Sequence, residues 1–318
     1  MRRSLGIALI SCGCARGATV DDACPPSVQG PVGDVDPAAK EALLRVQCHR
    51  RFVGLPAGRA TASAQLAADS HATYLELNDV LSGTTSGRAV FDELPGSRGF
   101  TGVSLGERLL AAGAVTEGQT FGAWEALLPD ALTGADDWFR DPYVRDALLQ
   151  PGWAGAGVSH VPVTGGAAAY INVVYDLPSN RRVTAPILYP RDGQVDVPTT
   201  FSTYGLPGDP LSAAGGAVGF PITITVGSTL VEGRDNPYQL RVDAASVIDA
   251  DDGTVLELII VEPTALPFVV VSSTAILAPI EPLLPGHAYE IDAEVSWNMG
   301  AHRVRGGFRT ASGSDEQP

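Results

Sequence analysis

Residues 136–153 read DDWFRDPYVRDALLQPGW, and the fold turns on how this stretch is read. Asp141 is a fit N-cap and Pro142 a fit first residue for a short helix, because the cap accepts a free N–H and proline has none to leave unpaired. Leu148 and Leu149 give that helix an apolar face, Trp138 an aromatic anchor before it, and Tyr143 and Arg145 a polar rim. Together they frame a place for chemistry. At its centre stands Val144, which neither binds a metal nor moves a proton. The stretch is either a working site that uses other groups or the shell of one whose chemistry is gone.

On either side of it the chain is long enough, at 318 residues, for two domains that each bury a core. A hydrophobic content of 45% against 18% charged residues indicates a globular chain. The net charge of −15 excludes nucleic acid as a partner, because no basic stripe is available to neutralise phosphates. Only Lys40 among the 21 basic residues is a lysine, and no function is drawn from that bias.

Residues 1–18 read as a signal peptide, with Arg2 and Arg3 before the short apolar run Leu5 to Ile10. Leu9-Ile10-Ser11-Cys12 resembles a bacterial lipobox, which would place a lipid on Cys12; cleavage near Ala18 is the competing reading. Either way the protein is expected to be exported, to the cell envelope or the medium, touching a membrane only through that anchor. No later stretch reaches the ~18 apolar residues a span requires. Export permits disulfides, and Cys24–Cys48 is the preferred pair, stapling a flexible arm at 19–35 to the first helix. Free thiols are the alternative, and cysteine parity does not choose.

The pattern predicts helices from Pro37 through AAKEALLRVQCHRRF, over Ala62 to Leu77, around VSLGERLLAAGA, over 121–128, and through DPYVRDALLQ. GAGVSHVPV and AAAYINVVYDLP then read as a β-hairpin, closing an α+β domain near 178. After a linker at 179–184 nearly everything is strand-like: ILYP, TTFSTY, FPITITVG, YQLRVDAASVID, TVLELIIV, PFVVVSS, HAYEIDAEVSW and RVRGGFRT. Short runs punctuated by Gly, Pro and Asp-Gly predict a β-sandwich, with a disordered tail at 312–318. Asp249, Asp251, Asp252 and Gly253 are read as a hairpin turn rather than a calcium loop.

Several landmarks in order, AQLAADSHATYLELND, GSRGFTG with ERLLAAGA, WFRDPYVRDALLQPGWAGAGVSHV and AAAYINVVYDLP, resemble the CAP superfamily of cysteine-rich secretory, antigen five and pathogenesis-related proteins in its compact bacterial form. The resemblance covers 36–178 and implies an α-β-α layered domain. Residues 185–311, with APILYPRDGQVDVPTTF at one end and PLLPGHAYEIDAEVSW near the other, resemble Ig-like modules of exported bacterial proteins. No catalytic motif comes with that second resemblance.

The CAP resemblance implies a cleft with two histidines and acidic residues that in some members hold a divalent cation. Here Phe91 stands at one histidine position and Val144 at the other. Glu93 and Glu125 are the carboxylates left as candidates, either as a cleft pair able to offer oxygens to a cation or, by the preferred reading, as solvated surface acids. His71 is read as a packing or hydrogen-bonding residue, and Tyr143 is a further cleft candidate. His49, His160, His287 and His302 have no acidic or cysteine partner at ligand spacing. Trp124, Trp138 and Trp153 are read as core, with an aromatic cleft for an apolar or glycan ligand as the alternative. There is no G-x-S-x-G, H-E-x-x-H or G-x-x-x-x-G-K-[ST].

The expectation is an exported, degenerate CAP-domain protein that binds a surface ligand or protein partner without catalysis, with no cofactor. The alternatives are a metal-dependent protein or hydrolase using Glu93, Glu125 and His71, and a lipid-binding protein.

Overall fold

The computed structural model describes residues 17–30, 37–81, 90–114, 121–129, 131–163, 166–176, 185–203, 209–226, 240–263, 273–297 and 300–313. Helices and several antiparallel sheets make an α+β protein. Cys12, Cys14, Asp36, the 179–184 linker and the end of the tail lie outside the described residues. No described helix is long and apolar enough to cross a membrane.

The first helix, α1 (Pro37–Phe52), buries Ala39, Ala42, Leu43 and Val46, spaced to form one stripe at the helical period. In α2 (Ala62–Leu77) the Thr61 side chain accepts from the Ala64 N–H, and the buried face is built of Ala64, Ala67, Ala68 and Ala72. These small side chains let the helix lie close on a strand: a Cβ at Gly157 would fall 2.2 Å from the Ala64 carbonyl oxygen. Helix α3 (Leu105–Ala111) is capped by Ser104, and α5 (Pro142–Leu148) by Asp141, which accepts from the N–H groups of Tyr143 and Val144. Between α3 and α5 runs α4 (Ala131–Arg140).

The expected hairpin is present as β2 (Trp153–Val163) antiparallel to β3 (Gly166–Asp176). A third strand, β1 (Phe121–Pro129), pairs with the other edge of β3 from Phe121–Asp176 to Pro129–Ala168. The helix expected over 121–128 is therefore a strand. A short, mostly apolar run fits either period, and the open edge of β3 decides for the extended form by taking its backbone hydrogen bonds.

Alternate residues of β3 go to opposite neighbours, as the period of two requires. Tyr170 and Val174 pack among α2 and α3 residues such as Tyr74, Ala67 and Leu109. Ile171 and Val173 join Leu43 and Val46 of α1 and Trp138 and Phe139 of α4.

The strand-rich remainder has one four-stranded sheet in the order β10 (Leu258–Val261), β11 (Thr274–Pro279), β8 (Ile222–Thr225), β4 (Ile187–Tyr189). A second has the order β5 (Gln194–Val197), β13 (Gly300–Thr310), β12 (Ala288–Trp297), β9 (Arg241–Asp249), and β6 (Thr200–Ser202) pairs with β7 (Ala217–Gly219). All pairs are antiparallel except β5 with β13. Leu277 of β11 lies in the core with Ile291, Val295 and Phe308, whereas Ile276 and Ala278 pack with Phe201 and Val218. Burial on both sides explains the unbroken apolar run AILA. Most of PFVVVSS lies outside the described residues, and β5, β7 and β11 stand outside the predicted strand runs.

The segment expected as a flexible arm is packed over its described part. Val20–Ala23 form a 3-10 turn and Cys24 is disulfide-bonded to Cys48 of α1, while Ala18, expected at the end of the signal peptide, bridges to Gln194 of β5.

Candidate functional site

The polar centre lies where α2, α3, β1 and β3 meet. His71 and Glu93 are both fully buried, and His71 Nδ1 is 2.9 Å from Glu93 Oε1. The other ring nitrogen, Nε2, lies 2.9 Å from the Val90 carbonyl oxygen. Neither nitrogen is free to ligate an ion or to take a proton from a substrate. The Glu93 Oε2 accepts from the backbone N–H groups of Thr101, at 2.6 Å, and Gly102, at 3.3 Å. Burial pushes the Glu93 carboxyl up, but the hydrogen bonds from His71 and Thr101 outweigh it and hold the group below its ordinary value.

Arg108 connects this pair to the next acid. Its Nη2 donates to Glu125 Oε2 at 2.5 Å, its Nη1 to the Phe91 carbonyl at 2.9 Å, and its Nε stands 3.8 Å from Glu93 Oε1. Burial opposes the Arg108 charge, but the Glu125 carboxylate beside it holds its pKa above the ordinary value. The Tyr170 hydroxyl also donates to Glu125 Oε2, and burial followed by the Glu125 charge drives that phenol well above its usual range. His71, Glu93, Arg108, Glu125 and Tyr170 thus form a chain in which each acid has at least one charged or N–H donor, while the buried Arg108 Nε, facing Glu93, makes no hydrogen bond.

Sequence reasoning named His71, Glu93 and Glu125, and the fold brings all three together. It placed the two acids in solvent, and that reading is corrected: Glu93 is 0% exposed and the Glu125 side chain 14%. It missed Arg108 and Tyr170. The available signal was spacing, since Leu105, Arg108 and Leu109 share one helical face and put a guanidinium where an apolar residue would pack.

The donor set does not fit a divalent cation. The place between the two carboxylates holds the Arg108 guanidinium, whose permanent charge already balances them, and an ion there would meet it at a repulsive distance. Phe91 contributes its carbonyl to that guanidinium and no ligand of its own.

The stretch 136–153 faces elsewhere. The Tyr143 hydroxyl donates to Asp209, and its ring packs with Phe201 and Leu211, so this candidate does not join the other three. Arg145, expected at a charged rim, is fully buried; it donates to the carbonyls of Phe139, Arg140 and Pro221, with its guanidinium carbon 4.5 Å from the Tyr189 ring centroid. Burial brings its pKa down to about 10. Val144 is half-buried against the main core. Trp138 is core, as expected, and Trp153 carries the Arg50 guanidinium 4.5 Å from its ring centroid; the Trp124 side chain lies outside the described residues.

Two histidines without acidic neighbours in sequence acquire them in space. His49 Nε2 is 2.8 Å from Asp136 Oδ1, and its Nδ1 is 3.2 Å from the Tyr189 hydroxyl. Burial pushes His49 down to about 4, while Asp136 is held at about 2 because His49 and Arg45 outweigh its own burial. His287 Nδ1 is 2.8 Å from Asp249 Oδ2. Asp249 and Asp251 otherwise serve the expected turn, in which the Asp251 N–H donates to Asp249 and Gly253 adopts a φ of 82°.

No protein-family model matches the chain, and no curated protein does. Among solved structures the chain is similar to a DUF4785 family protein of Legionella pneumophila at 14% identity and a TM-score of 0.21. The likeness covers 47% of this chain and 34% of that one, and carries no argument about fold or activity.

Proposed function

We propose that this is an exported bacterial protein in which an α-β-α layered CAP domain, residues 36–178, precedes an Ig-like sandwich, residues 185–311, and that it binds a ligand or protein partner at the cell surface without catalysing a reaction. The observation that carries the non-enzymatic reading is Arg108 between Glu93 and Glu125, with both nitrogens of His71 already engaged. A hydrolase needs a base with a free acceptor, and a metal enzyme needs an open ligand position. Glu93 is spent on His71 and the Thr101 N–H, and Glu125 on Arg108 and Tyr170. The passage of β3 residues alternately to α2–α3 and to α1–α4 supports the layered domain, and the two four-stranded sheets sharing Leu277, Ile291 and Phe308 support the sandwich. Against a lipid groove beneath α4 and α5 stands the complete burial of Trp138, Leu148 and Leu149 there.

The test is calorimetry of the full chain with Ca²⁺, Mg²⁺, Mn²⁺ and Zn²⁺, alongside its binding to isolated cell envelopes. The expected result is no stoichiometric ion binding and an envelope affinity unchanged in Glu125→Gln. Ion binding that Glu125→Gln abolishes overturns the reading.

A further inference from the structure

Helix α5 lies against β8 and β11, and polar side chains shielded from water make the contact. Arg145 holds one end, donating to the Pro221 carbonyl at 2.8 Å and lying 3.3 Å from the Thr223 hydroxyl. Asp146, 2% exposed, holds the other. Its Oδ1 accepts from the Thr274 hydroxyl and, at 2.9 Å, from Gln150 Nε2, which is also 3.0 Å from the Ser273 hydroxyl. Thr225 of β8 stands 2.7 Å from Thr274 on the far side. The second oxygen of Asp146, Oδ2, is buried and has no hydrogen-bond partner.

The cations in the neighbourhood are turned to carbonyls. Arg145 contacts β8 as described, and Arg50 of α1 donates to the carbonyls of Leu148 and Gln150. Gln150, Ser273, Thr274 and Thr225, the side chains around Asp146 from the other elements, are all neutral, and among the described residues no ion pair reaches Asp146. An ionised carboxylate here would be a buried charge without a counter-ion, whereas a protonated one is neutral and its Oδ1 still accepts from Thr274 and Gln150.

We propose that Asp146 is a proton-dependent latch that holds α5 to the β8–β11 strands while protonated and loosens that contact when it ionises. Burial pushes the carboxyl up to about 7, against the hydrogen bonds from Thr274 and Gln150, so the change falls in a range that an environment outside the cytoplasm crosses. The direction follows from linkage. Once α5 lifts away, the carboxyl returns toward its ordinary value, so each rise in pH between that value and about 7 favours the lifted state.

Hydrogen–deuterium exchange of the full chain at pH 5 and pH 8, corrected for intrinsic exchange rates, tests this. The expected result is that opening of α5, β8 and β11 rises on the order of 10- to 100-fold in the wild-type protein. In Asp146→Asn, whose amide cannot ionise, the rise is absent. Equal pH dependence in the two proteins overturns the proposal. Should Asp146→Asn fail to fold, carbon-detected titration of the wild-type carboxyl decides: a midpoint near 7 supports the latch, and one in the ordinary carboxylate range overturns it.

Discussion

Arg108 is a charge buried between acids, so its removal leaves two carboxylates facing each other without their cation. Arg108→Met is expected to cost about 3–5 kcal/mol, read from urea denaturation at pH 7, because breaking a buried pair leaves the partner uncompensated. Glu125→Gln is expected to cost less, since that side chain is partly open to water and its amide still accepts from Tyr170. Val144→His is expected to bring no divalent-ion affinity in calorimetry, because Val144 packs on the core while the carboxylates lie with Arg108. At this scale the residue types of the candidate site were legible in Glu93, Glu125 and His71. His71 was read as a packing or hydrogen-bonding residue, and it is one, but the burial of the two acids was not legible: exposure of an acid depends on whether a guanidinium from another element arrives beside it, and linear spacing is silent about that.

Helix α2 was legible from Ala62 to Leu77 because small and apolar residues recur there at the helical period, and the structure adds the Thr61 cap. Its distance from β2 is set by Gly157, where even a methyl group would strike the Ala64 carbonyl. Gly157→Ala is therefore expected to destabilise by about 1–3 kcal/mol, through displacement of α2, and a lowered denaturation midpoint checks it. The Cys24–Cys48 bridge ties residues 17–30 to α1, closing a separation of 24 residues. Reduction is expected to lower stability by about 2–4 kcal/mol, measured by denaturation with and without reductant. Strand β1 was read as a helix because FGAWEALLP lacks a decisive period, and only the free edge of β3 could choose.

For the whole molecule, opposed titrations shape the pH profile. The buried His49 has a folded pKa of about 4, below its ordinary 6.5, so its contribution is present above 6.5 and is lost as pH falls toward 4. Asp136, depressed to about 2, extends that loss between its ordinary 3.8 and 2. Asp146 works the other way, losing stability as pH rises from 3.8 toward 7. Wild-type stability is expected to be nearly level between about pH 4 and 6.5, where the His49 and Asp146 slopes oppose. In Asp146→Asn it is expected to rise with pH over that range, and denaturant midpoints across pH 4–8 check both profiles.

The sequence by itself determined the α+β class, helices α1, α2, α3 and α5 with the cap of α5, and the β2–β3 hairpin, because caps, periods and turn residues act within a few positions along the chain. It preferred Cys24–Cys48, but only the tertiary structure chose that pair over free thiols. Only the tertiary structure decided what DDWFRDPYVRDALLQPGW does. Its Asp141 and Pro142 start the helix as read, but Tyr143, Arg145 and Asp146 meet Asp209, Pro221 and Thr274, between 66 and 128 residues away in sequence. Partners that distant are chosen by how whole elements pack, so the stretch is a contact between the helical and the strand-rich parts of the chain.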